Sequence, residues 1–198
     1  MQNFRRGRIK NPYDITVAGV GYLGVGKHKV SENSQHNRVY KDWVAMLIRC
    51  YDETKRHLHP TYTDCYVCEE WKCFQNFAEW YKANFYQIDN GRIHMDKDIL
   101  FKGNKEYSPD KCIFVPQRIN IIFMESQNRK YDLPTGVSYS ANKQKYNVSY
   151  NGVPQGTYST LKEAVAVHTR EKRKHIIQVA EEYKDRIPEK LYNALMNW

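Results

Sequence analysis

The chain has 198 residues, 41% hydrophobic and 14% aromatic, so it can bury a real core and is not a disordered tail. Lys and Arg number 31 against 22 Asp and Glu, a formal net charge of +9, and a surplus of that size favours a polyanionic partner, nucleic acid first among them. The odd count of five cysteines argues against a secreted disulfide scaffold, and no apolar run reaches the about 18 residues needed to span a bilayer, so the expected compartment is the reducing cytoplasm, with no membrane partner.

Residues 1–36 are basic and glycine-rich. Arg5 to Lys10 followed by the apolar run Ile15 to Gly26 has the outline of a signal peptide. The run holds four glycines and no clear small-residue cleavage site, so that reading is rejected. Gly19, Gly21 and Gly24 spell G-x-G-x-x-G, but Lys27-His28-Lys29 follows where a dinucleotide fold needs a helix. The segment reads as a mobile arm or hairpin that lies on DNA. Residues 39–54 have helical periodicity, with Trp43, Met46, Leu47, Cys50 and Tyr51 on one face. A second helix is predicted from about Glu70 to Phe85, with Trp71, Phe74, Ala78, Tyr81 and Phe85 inward. Between them Cys65-Tyr66-Val67-Cys68 supplies half of a tetrahedral zinc site. Cys73 and Cys112 could complete it but lie scattered along the chain, and buried thiols are the preferred reading.

The stretch Met95 to Asn120 reads as a strand, a Gly103-Asn104 turn, a second short strand and a helix opened by Pro116. Along a strand from Ile93 to Leu100 the period of two puts His94, Asp96 and Asp98 on one face, with Ile93, Met95 and Ile99 toward the core. The helix from Pro116 buries Ile119, Ile122 and Phe123 and can turn Asn120 back toward Asp96. An aspartate on a strand and an amide on the following helix can together hold a hard divalent cation, which phosphodiester cleavage requires on the scissile phosphate. An ordinary charged surface strand has the same spacing.

Trp43, Met46, Arg49-Cys50-Tyr51, Val67-Cys68-x-x-Trp71, Met95-Asp96-Lys97, Tyr107-x-Pro109, Cys112 and Asn120 occur in one order. In that order they resemble the HNH endonucleases of bacteriophages and their homing relatives, over about Tyr40 to Phe123. The resemblance implies a ββα-metal unit in which Asp96 and Asn120 hold Mg²⁺ or Mn²⁺. It also implies two departures. Lys97 stands where active members often carry the general-base histidine, and the middle Asn falls near Lys111. A lysine acts as base only with a depressed pKa; otherwise it stabilises phosphate charge. His94, on the face of Asp96, is the other candidate base.

Glu125 to Thr135 is polar, without period, and reads as a linker. Val137 to Tyr150 then alternates, Asn151-Gly152 is a hairpin turn, and Thr157-Tyr158 supplies a third strand. Thr160 with Glu163 forms a capping box for a long helix that Pro188 ends, and Leu191, Leu195 and Trp198 line a last short one. Gly136-Val137-x-Tyr139, Tyr146 to Tyr150, Gly156-x-Tyr158 and Thr160-x-x-Glu163-Ala164 resemble the Apetala-type DNA-binding domain, over about residues 134–182. The resemblance implies a three-stranded sheet laid in the major groove. Tyr146, Val148 and Tyr150 would face the helix, and Ser138, Ser140, Lys143, Lys145, Asn147 and Ser149 would face DNA. The cluster Arg170 to His175 reads as a solvated helix face.

The expected fold is therefore α+β: a basic arm (1–36), an HNH-like unit with added helices (37–124), a linker (125–135) and a sheet-plus-helix DNA reader with a helical extension (136–198). The expected function is double-stranded DNA binding with Mg²⁺- or Mn²⁺-dependent nicking or cleavage. Its rival is a non-catalytic DNA-binding regulator, or a phage factor acting on host DNA or defence proteins. No protein partner is indicated by the residues themselves.

Overall fold

The structure, a computed structural model, describes residues 11–58, 60–124 and 133–198. The basic run Arg5 to Lys10 and most of the expected linker lie outside them. The fold is mixed α+β, and the chain forms two units. The first holds residues up to Tyr86 and then Met95–Phe114; the second holds Gln87–His94 and Val115–Trp198.

In the first unit a two-residue hairpin, β1 (Ser31–Glu32) and β2 (Gln35–His36), leads into α1 (Arg38–Tyr51). Asn37 caps α1 by accepting from the Tyr40 amide at 2.9 Å, which satisfies one of the free N–H groups of the first turn. Trp43, Met46, Leu47 and Cys50 are the buried stripe of α1, as the period of its apolar residues predicts. Two short 3₁₀ turns, Glu53–Leu58 and Pro60–Tyr62, precede β3 (Tyr66–Val67).

The predicted second helix is two helices, α2 (Glu69–Lys72) and α3 (Phe74–Asn84), broken at Cys73, whose backbone is extended. The break is filled by Tyr22. Its N–H donates to the Lys72 carbonyl at 3.0 Å, and its carbonyl accepts from the Phe74 N–H at 2.9 Å. Helical groups exposed by the interruption are thus paired by a strand-like segment from far upstream. Trp71, Phe74, Phe77, Ala78 and Tyr81 are buried. Trp71, Phe77, Trp80, Tyr81 and Phe114 form a contiguous aromatic cluster with ring centroids 4.6–5.8 Å apart between neighbours, and Trp43 packs on Phe74 at 5.5 Å and donates its indole N–H to the Trp71 carbonyl at 2.7 Å.

Residues 11–36 are not a free arm: the glycine-rich stretch is docked on this core. A Cβ on Gly21 would lie 2.5 Å from Leu47 Cδ1 and 3.1 Å from the Trp43 ring. One on Gly24 would lie 2.4 Å from Cys73 Sγ, and Gly24 also has φ +72°. Gly21 and Gly24 of the G-x-G-x-x-G spacing therefore serve close backbone packing against Leu47, Trp43 and Cys73. Gln75 completes the docking, accepting from the His28 N–H and donating to the His28 carbonyl, both at 2.9 Å.

The strand β4 (Ile93–Asp96) stops at Asp96, four residues earlier than the alternation predicts. A bend and turn follow, then β5 (Glu106–Tyr107), which pairs in parallel with β3, and β6 (Ile113–Pro116), which pairs with β4. The helix α4 (Gln117–Phe123) begins after Pro116, buries Ile119 and half-buries Ile122 and Phe123.

The second unit is built on an antiparallel meander, β7 (Val137–Ser140), β8 (Lys145–Tyr150) and β9 (Val153–Tyr158), and on α5 (Leu161–Tyr183). Val137, Val148 and Ala164 are its buried contacts, with Tyr146, Tyr158, Leu161 and Val167 packed around them. The Thr160–Glu163 capping box is present in both directions at 3.2 Å. The last helix, α6 (Glu189–Met196), follows Pro188 and buries Leu191 and Leu195; Ile176, Val179 and Ala180 are the buried face of α5. Among the described residues no helix is long and apolar enough to cross a membrane.

Gly21→Ala is expected to lower stability by about 1–3 kcal/mol, because the methyl group overpacks Leu47 and Trp43. Thermal melting checks this. An unchanged melting temperature would mean the segment is not docked.

Candidate nucleic-acid interface and metal site

Asp96 ends β4, and its Oδ1 accepts from the backbone N–H groups of Asp98 and Ile99, both at 2.7 Å. The carboxylate thus caps the bend that terminates the strand, as Asp side chains do in turns. Burial pushes its pKa up, with the Asp98 carboxylate adding to the rise; the two amides and Lys97 oppose without cancelling it. The hydrogen bonds it makes among the described residues use Oδ1 alone.

Because the strand has ended, Asp98 does not continue the face of His94 and Asp96. Its carboxylate turns to Lys97 instead. Lys97 is 7% exposed, and its ammonium donates to both Asp98 oxygens at 2.8 Å and to the Asn104 carbonyl at 2.7 Å. Burial acts to lower its pKa, but the Asp98 carboxylate outweighs this and holds it above the ordinary lysine value. A general base requires the opposite shift. Lys97 is therefore a charged tie within the loop, and the base role considered for it has no support in its surroundings. The Asn104 side chain completes the tie, donating to the carbonyls of Lys97 at 2.9 Å and Glu106 at 2.7 Å.

Lys111 is ion-paired with Glu106 and does not coordinate. Its ammonium is held above the usual lysine range by that carboxylate. His94 is half-buried on β4. Asn120 is half-buried on α4, in the second unit, and its side chain makes no hydrogen bond among the described residues. Cys65 and Cys112 are buried and Cys68 is half-buried; burial raises all three thiols, Cys112 most. Among the described residues no three His, Cys, Asp or Glu stand close enough together to hold a metal ion.

In the second unit, register decides what faces outward. Val137 opposes Val148 on the helix side, and Tyr146 opposes both Tyr139 and Tyr158. The alternate positions form rows on the other face: Ser138, Asn147 and Thr157 in one, Ser140 and Lys145 in the next. Asn147 Oδ1 accepts from Thr157 Oγ1 at 2.9 Å, which fixes the amide and leaves its NH₂ to donate. Lys143, in the β7–β8 turn, and Lys145 are exposed, as is Ser149. From Leu133 to Lys162 the chain contains no Asp or Glu.

Two features of this sheet had no signal in the alternation. A bulge between Val148 and Ser149 shifts the β8–β9 register, leaving Gln155 unmatched, and Gly156 takes φ +114° there. Gly136, at φ +77°, lets β7 enter against the helix: a Cβ would lie 2.4 Å from the Ser149 carbonyl oxygen and 2.5 Å from His168.

The basic cluster of α5 is spent within the unit. Arg173 donates to the carbonyls of Leu195, at 2.8 Å, and Met196, at the C-terminal end of α6. Lys172 lies over the rings of Phe123 and Trp198 at 5.5 and 4.7 Å, and Arg170 and Lys174 pair with Glu171.

The chain matches no family model, no curated protein and no solved structure.

The raised pKa of Asp96 has a definite sign. The folded state holds the proton more tightly than the unfolded chain, so stability falls as pH rises from the usual carboxylate pKa through the folded value. Asp96→Asn keeps an oxygen for the two amides and removes the charge. It is expected to melt above wild type at neutral pH, with the difference vanishing at pH values below the usual carboxylate range. A constant difference across pH would show that burial of the charge is not the cause.

Proposed function

We propose that this chain is a double-stranded DNA-binding protein that engages the duplex through the outward face of the β7–β8–β9 sheet. One observation carries the reading: a face of small polar side chains and lysines, on a stretch free of carboxylates. Lysines at its edge suit phosphates, and an amide at its centre suits a base edge. Asn147 is the residue assigned to base contact, and Lys143 and Lys145 to backbone contact. Ser138, Ser140 and Ser149 supply short hydroxyl groups that let the backbone lie close. The order of landmarks that resembles the Apetala-type domain supports the same assignment.

The test joins sequence preference to salt. If about 4–6 phosphates are neutralised, log K falls with log salt at a slope of about −4 to −5. Asn147→Ala is expected to cost about 1–3 kcal/mol on a selected site and much less on random duplex. Binding measured by anisotropy on both DNAs decides it. Equal losses would make Asn147 a backbone contact, and a flat salt response would remove the DNA reading.

A second reading adds metal-dependent cutting, as the HNH resemblance implies. Asp96 favours it: a carboxylate whose burial disfavours its charge gains from a divalent cation beside it. Mg²⁺ or Mn²⁺ bound there would supply Lewis-acid stabilisation of a scissile phosphate. Supercoiled plasmid with Mg²⁺ or Mn²⁺ is expected to be nicked by wild type and left intact by Asp96→Ala, with DNA affinity nearly unchanged. Plasmid left intact by wild type under both ions leaves the protein as a DNA binder without catalysis.

A further inference from the structure

The loop between β4 and β5 is held more firmly than its lack of regular structure would suggest, and its crest is exposed. Lys97 and Asn104 tie its two ends through the hydrogen bonds described above, and the Asn104 N–H donates to the Phe101 carbonyl at 3.0 Å to close a turn at the tip. Gly103 takes the left-handed conformation in that turn, φ +77°. Ile99 anchors the near side in the core at 3% exposure. On this rigid base Phe101 is presented at 53% exposure. Lys102 and Lys105 flank it, both exposed, and residues 99–105 contain no carboxylate. The Lys105 carbonyl accepts from the N–H of Tyr66, itself 48% exposed.

We infer that this loop is a second DNA contact, in which Phe101 wedges into a base step of the duplex while Lys102 and Lys105 hold the flanking phosphates. The inference rests on the DNA-binding reading above and assigns the first unit a part in it. An exposed phenyl ring on a mobile loop would lose its ordering entropy on insertion; here the buried ammonium has fixed the loop beforehand. Apolar side chains inserted between base pairs unstack them, and the cost is least at pyrimidine–purine steps. The absence of acidic residues along the crest removes the repulsion that would otherwise oppose phosphate approach.

The experiment uses the full chain and duplexes carrying 2-aminopurine within TpA steps, whose fluorescence rises on unstacking, at saturating protein. Wild type is expected to raise the fluorescence. Phe101→Ala should abolish the rise and weaken binding by roughly 5- to 20-fold, in line with the stacking contribution of one aromatic side chain. Phe101→Trp should restore both. The double substitution Lys102→Ala with Lys105→Ala should make the salt slope shallower by about 1 to 2. The melting temperature of Phe101→Ala, a solvent-exposed site, should equal that of wild type and reports that the fold is intact. Asn147→Ala should weaken binding yet leave the fluorescence rise in place. If wild type binds duplex but Phe101→Ala matches it in affinity and fluorescence, the wedge is overturned and the sheet remains the contact. If wild type does not bind duplex at all, the DNA reading itself falls.

Discussion

Lys97 is the residue on which the middle of this chain turns. Its ammonium is removed from water, an arrangement that is strongly unfavourable unless every proton finds an acceptor. Two carboxylate oxygens of Asp98 and the Asn104 carbonyl provide them. Because the acceptors lie on both sides of the loop, satisfying the charge also closes the loop. It brings β5 back to pair with β3, and so to the helices that carry the aromatic core. A substitution that removed the charge would leave the Asn104 carbonyl and the Asp98 carboxylate without their partner in one step.

That use of Lys97 bears directly on chemistry. A lysine beside a metal-binding aspartate could act as a base only if its surroundings disfavoured the charged form. Here they favour it, so the catalytic reading has to stand on Asp96. Asp96 is in turn committed at one oxygen to the bend that its own strand makes. The same pair of residues thus shapes the loop and sets the limits of any reaction the unit could perform. DNA binding through the sheet makes no such demand, because it needs only the face that the register exposes.

The two units use their basic residues differently. In α5 the cations of the Arg170–His175 cluster cap α6, lie over aromatic rings or pair with Glu171, so their charge is largely consumed in building the unit. On the sheet, and on the crest of the Phe101 loop, lysines stand on stretches without carboxylates.

Local sequence determined the elements whose causes are local. The stripe of Trp43, Met46, Leu47 and Cys50, the capping box at Thr160, the Asn151-Gly152 turn and the alternation that puts Val148 inward and Asn147 outward all follow from periods and caps within one segment. Tertiary structure decided whatever depended on a distant partner. The helix from Glu70 is broken at Cys73 because Tyr22 pairs with the backbone on either side of the break, and no pattern within residues 70–85 contains Tyr22. The glycines near residue 20 read as a loose arm because glycine signals freedom of the backbone; only contact with Trp43, Leu47 and Cys73 shows that Gly21 and Gly24 serve close packing. Alternation carries the strand from Ile93 to Leu100 because it cannot register that Asp96 will turn its oxygen onto the two amides ahead of it. Lys97 looked like a catalytic substitution for the same reason: a side chain's protonation is set by what surrounds it in space, and that is settled only when the loop folds back.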